Sequence, residues 1–336
     1  ALAVVDEQHR FGVEQRGALE AKATRGAPHV LLMTATPIPR TLGQVLYADL
    51  DVSTLRTPPA GRLPIRTGIR RPEDLDGTWD RVRAEAAEGR RTFVVVPRIG
   101  AATTTTDGEG DDGDGFAGDD DLPDEDVETA WAAAAEVEYE RLTALLAPLR
   151  VGLVHGRLKP IDRDAEMARF RDGGLDVLVG TTVVEVGVDV PEATMMVVEG
   201  AERFGLAQLH QLRGRVGRGT VASFCVLVST AAEGTTEHER LKAVASTTDG
   251  FALAERDFEL RREGDVLGLA QSGLPRLRVA TLANPDHRDL AAKARGHAEA
   301  LLGEDGELPP SEPALDRELT DGWLRNVFAG DPASAA

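Results

Sequence analysis

The 336-residue sequence predicts an α/β protein with parallel sheets flanked by helices, followed by a mainly helical C-terminal region. Three observations predict it. Short apolar runs rich in β-branched residues recur without alternation, as expected of strands covered on both faces. Helical stretches with Pro and Gly at their ends lie between those runs. From about residue 232 the runs stop and the pattern turns helical. Strands alternating with helices are the pattern of α/β architecture.

The chain opens on the apolar run 2–5, with no initiator Met, cap or turn before it. It is therefore expected to be a piece of a longer polypeptide that begins inside a strand. Further strands are expected at 30–33, 92–96, 151–154, 177–179, 195–198 and 224–228. Helices are expected at 78–88, closed by Gly89, near 129–147, and at 160–171. Pro160 suits the first helical position of the last of these, and Gly173 and Gly174 close it. Pro58-Pro59-Ala60-Gly61 has the composition of an interdomain linker. Residues 101–128 are a Thr-, Gly- and Asp-rich tract with almost no apolar residues. Such a tract cannot offset its ordering entropy, so a disordered acidic insert is expected there. In the Pro-, Asp- and Glu-rich tail, Trp323, Leu324, Val327 and Phe328 form a candidate docking helix.

Composition narrows the function classes. No stretch reaches 18 uninterrupted apolar residues, which excludes a transmembrane helix. The one cysteine, Cys225, excludes an internal disulfide framework and a Cys-based zinc cluster, and its apolar surroundings make it strand filler. Without a signal peptide at the start, a reducing, cytoplasmic setting is expected. A net charge of −19 taken alone argues against nucleic acid. Its distribution changes that reading. Residues 101–128 carry twelve acids and no base, and residues 304–336 carry eight acids against Arg317 and Arg325. Without those two tracts the remaining charge is −1.

Several constellations carry chemistry. Asp6-Glu7-Gln8-His9 directly follows the first strand, and open parallel sheets bind ligands beyond the carboxyl ends of their strands. Paired carboxylates there suit a metal-nucleotide site, one acid holding Mg²⁺ and the other polarising an attacking water. A bare Asp-Glu pair at a strand end is otherwise a surface turn. Thr34 and Thr36 follow the next strand, either as a helix cap or with their hydroxyls toward the same crevice. Thr181-Thr182 and the run from Glu185 to Pro191, with Gly187 and Asp189, have groups for phosphate or ribose. In residues 208–218, Arg213, Arg215 and Arg218 are separated by glycines and are expected to bring three guanidiniums close to one surface. Arginine binds phosphate oxygens in a planar, bidentate way; a solvated basic loop is the alternative.

Together these segments resemble the RecG branch-migrating DNA helicases of superfamily 2. Residues 6–16 resemble motif II of that family, residues 33–42 motif III, and His155-Gly156-Arg157 motif IV. Residues 181–191 resemble motif V and residues 208–218 motif VI. Thr248-Asp249-Gly250-Phe251 and residues 254–261, up to Gln271-Ser272-Gly273, resemble the translocation motif shared with the transcription-repair coupling factor. Gln8-His9 favours RecG, because the coupling factor typically reads Asp-Glu-Glu-Gln across motif II. The resemblance covers about residues 1–100 and 140–285.

The resemblance implies RecA-like domains. Residues 1–57 would be the C-terminal part of the first and residues 62–231 the second, with residues 232–336 as translocation hairpin and acidic tail. It implies ATP and Mg²⁺ as cofactors, and branched DNA such as forks and Holliday junctions as substrate. Single-stranded DNA-binding protein is a candidate partner, the protein is expected to be a monomer, and its setting is cytoplasmic and nucleoid-associated in a bacterium. By resemblance Asp6 coordinates Mg²⁺, Glu7 is the base for water attack, and Gln8 and His9 sense the γ-phosphate. Gly187, Asp189 and Gln211 belong to the nucleotide site, and Arg215 and Arg218 are arginine fingers. Thr34 and Thr36 couple nucleotide state to DNA grip. His155, Gly156 and Thr181 lie near the DNA backbone, and Arg256, Arg261 and Gln271 serve translocation. Residues 261–265 depart from the family's Arg-Gly-Pro-Gly-Glu run. None of the four lysines, Lys22, Lys159, Lys242 and Lys293, follows a glycine, so the phosphate-cradling P-loop is missing. The resemblance places it upstream with a wedge domain, and the chain by itself is expected to be inactive. The rival readings are a repair-coupling translocase and a non-enzymatic DNA- or protein-binding module.

Overall fold

Eight strands and eight α-helices form among the residues that the computed structural model describes, which are 2–6, 29–34, 53–55, 57, 61–97, 124–181, 189–260, 285–302 and 308–320. They belong to two units, one comprising Ala1–Thr36 and Thr57–Leu253, the other Pro37–Arg56 and Ala254–Ala336.

The first unit holds two parallel sheets. In the smaller, β1 (Leu2–Val5) pairs with β2 (His29–Leu32) in the register Leu2↔His29 to Val5↔Leu32. The Met33 N–H donates to the Val5 carbonyl at 2.8 Å, so the two carboxyl ends finish side by side. The larger sheet contains β3 (Arg66–Arg70), β4 (Arg91–Val95), β5 (Val151–Val154), β6 (Val177–Gly180), β7 (Ala193–Val198) and β8 (Phe224–Val228), in the order β3-β8-β7-β4-β6-β5. Every pairing is parallel. Helix α1 (Asp76–Ala87) connects β3 to β4, α2 (Asp124–Leu145) precedes β5, α3 (Pro160–Arg171) connects β5 to β6, and α4 (Leu206–Arg213) lies between β7 and β8. Helices α5 (Thr236–Ser246) and α6 (Gly250–Leu260) follow. Helix α5 packs on β3, on α4 and on a 3-10 turn at Ala201–Arg203. In the second unit α7 (Pro285–Leu301) and α8 (Pro313–Thr320) are formed.

Burial explains why the apolar runs do not alternate. All of β6 and β7, and β4 from Thr92 on, are buried. On one face Val94, Val179 and Val197 meet Trp79 and Val82 of α1 and Leu142 of α2. On the other, Phe93 meets Phe170 of α3 with ring centroids 4.7 Å apart. Each such large apolar side chain contributes about 1.5–3 kcal/mol by leaving water. A polar tie crosses the same core: the Thr194 hydroxyl of β7 donates to Glu85 of α1 at 2.6 Å, and Arg81 and Arg90 pair with that buried carboxylate.

Most expected elements are present within a residue or two. The helix closures hold: Gly89 and Gly173 adopt φ of +74° and +82°, and the Gly174 N–H returns to the Arg169 carbonyl at 2.7 Å. Strand β3 was not expected. Its sequence Arg66-Thr67-Gly68-Ile69-Arg70 is polar because it is an edge strand with exposed ends, where charge guards against edge pairing. Helix α2 starts at Asp124, inside the tract expected to be disordered. Three acids at its start suit the positive end of the helix dipole, and the alanines that follow favour helix. Residues 101–123 of that insert, linker residues 58–60 and the stretch from Trp323 to Phe328 lie outside the described residues. No helix among the described residues is long and apolar enough to cross a membrane.

Candidate functional site

Helix α4 ends at Arg213, and the chain then loops to the start of β8. Val216 is fully buried and anchors this loop. Gly217 has φ +72°, and a Cβ there would come within 2.8 Å of Ile65 Cγ1, so the position requires glycine. Arg62 Nε donates to the Gly217 carbonyl at 3.1 Å. The loop so held carries Arg215, half-buried, and Arg218, exposed, near the amino end of β8. Arg218 Nη1 pairs with Asp189 Oδ1 at 3.1 Å, and its Nε donates to the Gly214 carbonyl at 3.4 Å. Asp189 stands just ahead of β7, the neighbour of β8 in the sheet. Gln211 lies on the last turn of α4. An exposed ion pair of this kind contributes about 0–1 kcal/mol, so Arg218 leaves Asp189 at little cost.

Arg213 does not join the other two arginines. It falls four residues after the buried Leu209, on the inward face of α4, and is 2% exposed. Its Nη1 donates to the Val244 and Thr247 carbonyls at 2.6 and 2.7 Å, and its Nη2 lies 2.8 Å from His210 Nδ1. Burial, aided by the charges of Arg213 and Arg62, pushes the His210 imidazole down to about 4 against a weaker pull from Asp249. The ring is therefore neutral at neutral pH, and its Nδ1 accepts from Arg213. The expectation of three guanidiniums on one surface is corrected: the Arg213 guanidinium is buried against the end of α5.

His155 and Thr181 follow the adjacent strands β5 and β6, and the Thr181 N–H reaches the Val154 carbonyl at 3.4 Å. Both side chains are buried. His155 Nε2 lies 3.6 Å from Glu136 Oε1 of α2. Burial lowers the His155 pKa; Glu136 opposes this and Arg157 adds to it. Gly156, Arg157 and Lys159 are exposed. The groups this turn offers to solvent are thus Gly156 and two basic side chains, with His155 and Thr181 shaping the turn from beneath. Because the strands are parallel, this carboxyl edge is opposite the edge that carries Arg218. In the smaller sheet Asp6 and Thr34 stand at neighbouring carboxyl ends, both exposed. Arg256 pairs with Glu259 at 2.9 Å on α6. Glu7, Gln8, His9, Thr36, Gly187, Arg261 and Gln271 lie outside the described residues.

The family model for the helicase conserved C-terminal domain matches residues 128–220, which include the carboxyl-edge turn and the arginine loop. Over 324 residues the chain is 51% identical to the ATP-dependent DNA helicase RecG of Mycobacterium bovis, covering 94% of this chain and 40% of that protein. It is 42% identical over 329 residues to RecG of Haemophilus influenzae, covering 97% of this chain and 43% of that one. A solved structure of RecG bound to a three-way DNA junction matches with a TM-score of 0.61 at 33% identity, over 88% of this chain and 33% of that chain. Over 94–97% of its own length the chain is similar to these RecG helicases. It spans about 40% of the length of these curated relatives.

The six-stranded parallel sheet with its flanking helices is a RecA-like lobe. These relatives are RecG proteins, so the repair-coupling alternative is not favoured. Among the described residues no group of three His, Cys, Asp or Glu could hold a metal. Asp6 offers a single carboxylate, which suits an ion that keeps waters and phosphate oxygens as most of its ligands. Sequence reasoning missed Arg62 and His210, which hold the loop and the helix behind it. Arg62 is 155 residues from the carbonyl it binds, so no local pattern marks it. The i, i+4 spacing of Leu209 and Arg213 was the available sign that Arg213 faces inward.

Proposed function

We propose that the protein carrying this chain is an ATP-driven translocase on double-stranded DNA that remodels stalled forks and Holliday junctions in recombination and repair. The observation that carries this reading is the loop pinned by Arg62, which bears Arg215 and Arg218, in a chain 42–51% identical to RecG relatives. Bound ATP with Mg²⁺ would supply the phosphoanhydride bond whose hydrolysis drives movement. Asp6 would hold the metal, and Glu7 would take a proton from the attacking water. Arg215 and Arg218 would meet the charge on the transferred phosphoryl group, Arg218 leaving Asp189 to do so. Gln8, His9, Gly187, Asp189 and Gln211 would complete the nucleotide site, and Thr34 and Thr36 would link it to DNA. Gly156, with His155 and Thr181 behind it, would place the DNA backbone without reading sequence. Arg256, Arg261 and Gln271 would serve translocation.

In the same reading residues 1–57 complete a first RecA-like domain, residues 62–231 form the second, and residues 232–336 hold the hairpin and tail. A monomeric state, nucleoid association and single-stranded DNA-binding protein as a partner belong to it too. The test is ATP hydrolysis and fork regression by the full-length gene product. Glu7→Gln should abolish hydrolysis and keep nucleotide binding. Arg218→Ala should lower the rate by about 10³ or more, the range known for arginine fingers. Near-normal turnover in Glu7→Gln, or no response of the wild type to branched DNA, contradicts the reading.

A further inference from the structure

We infer that Arg213 is a positioning residue that fixes the elbow between α5 and α6 to the helix bearing the arginine loop, so that a displacement of that loop moves the elbow with it. The inference rests on the translocase reading above.

The elbow is residues 247–249, between α5 and α6. It is tightly built. The Asp249 N–H donates to Thr247 Oγ1 at 3.1 Å, and the Phe251 N–H donates to Asp249 Oδ1 at 2.8 Å. The Leu253 N–H takes the Asp249 carbonyl at 3.1 Å, so Asp249 caps α6. On the other side of the elbow stand the last carbonyls of α5, which have no partner within their own helix. Through one nitrogen Arg213 donates to the Val244 carbonyl of α5 and to the Thr247 carbonyl of the elbow itself, and through another it donates to His210 Nδ1. A cation at a helix carboxyl end also meets the negative end of the helix dipole. The planar guanidinium fork suits this set of three acceptors, and the compact ammonium of lysine does not match it.

The other end of the link is short. Arg213 is the last residue of α4, and a single right-handed helical residue, Gly214, separates it from Arg215. The fully buried Val216 holds the loop between Arg215 and Arg218 against the body. A shift of Arg215 and Arg218 onto a nucleotide therefore reaches the elbow through a buried side chain held by three hydrogen bonds.

The test uses the full-length gene product with Arg213→Met and Arg213→Lys. Two quantities are read. One is base pairs translocated per ATP hydrolysed, from displacement of a third strand. The other is amide exchange at residues 247–251 with and without a non-hydrolysable ATP analogue. In the wild type the analogue should change exchange at the elbow at least tenfold. Arg213→Met should lose that response and move at least tenfold fewer base pairs per ATP, and Arg213→Lys should recover it only in part. Unchanged movement per ATP in Arg213→Met overturns the inference. So does a parallel loss of hydrolysis and movement with the exchange response intact. Should Arg213→Met not fold, Arg213→Lys decides by the same two measures. A wild type that hydrolyses no ATP on branched DNA overturns the translocase reading instead, and loss or retention of the exchange response in the variants still decides the link.

Discussion

Replacing Glu199 with glutamine should remove a loss of stability that the six-stranded unit suffers as pH rises from about 4.5 to about 7. Glu199 directly follows β7, and its side chain is 19% exposed. Arg141 Nη2 lies 3.7 Å from it, but Glu138 holds the same guanidinium at 2.5 and 2.8 Å. Glu202 stands close by and accepts from the Thr230 hydroxyl at 3.0 Å. Burial first, then the Glu138 charge, push the Glu199 carboxyl up to about 7; Arg141 opposes this and Glu202 adds to it. The folded chain therefore holds a proton here that the unfolded chain releases near 4.5. Folding is favoured by that proton at low pH, and the advantage is lost as pH climbs through the folded value. At about 1.4 kcal/mol per pH unit between the two states, the loss is about 3 kcal/mol and is complete above neutrality. Thermal melts of the purified chain and of Glu199→Gln, from pH 4.5 to 8.5, read the effect. The two should nearly coincide at pH 4.5, and the variant should melt roughly 6–12 °C higher at pH 8. Stability curves that run parallel over the whole range would refute the reasoning.

Three further outcomes are expected. Gly217→Ala forces a side chain onto Ile65 in a left-handed backbone, and should cost about 2 kcal/mol in urea unfolding; a cost below about 0.5 kcal/mol would mean the loop is not held as described. Asp189→Asn should change stability by no more than about 1 kcal/mol, because its pair with Arg218 is exposed; a larger loss in the same melts would make the pair structural. The purified 336-residue chain should show no DNA-stimulated ATP hydrolysis, because it has no P-loop; measurable turnover would contradict that.

The central strands were legible because burial on both faces leaves a signature that needs no partner to interpret. Val94 and Phe93 point to opposite sides of β4 and both are buried. Strand β3 was not legible, because an edge position replaces apolar pressure with charge. The start of α2 was hidden for a related reason: three acids at a helix amino end look the same as acids in a solvated tract. At the site, Arg215 and Arg218 were readable as neighbours in sequence with glycines between them. What orders them was not, since Arg62 comes from 155 residues away. Arg213 was misread because a basic side chain was credited to solvent, when its acceptors are carbonyls at the end of another helix.

The hydrogen bond from Arg62 to the Gly217 carbonyl also fastens two ends of one long excursion. Between its donor and its acceptor the chain threads strands β3 to β7, five of the six in the sheet. The clasp closes once those strands are seated in their places, and unseating any one slackens the segment that bears Arg215 and Arg218. Order in that segment is therefore a gauge of how those five strands are seated, and damage to a distant one of them is registered where the two arginines stand.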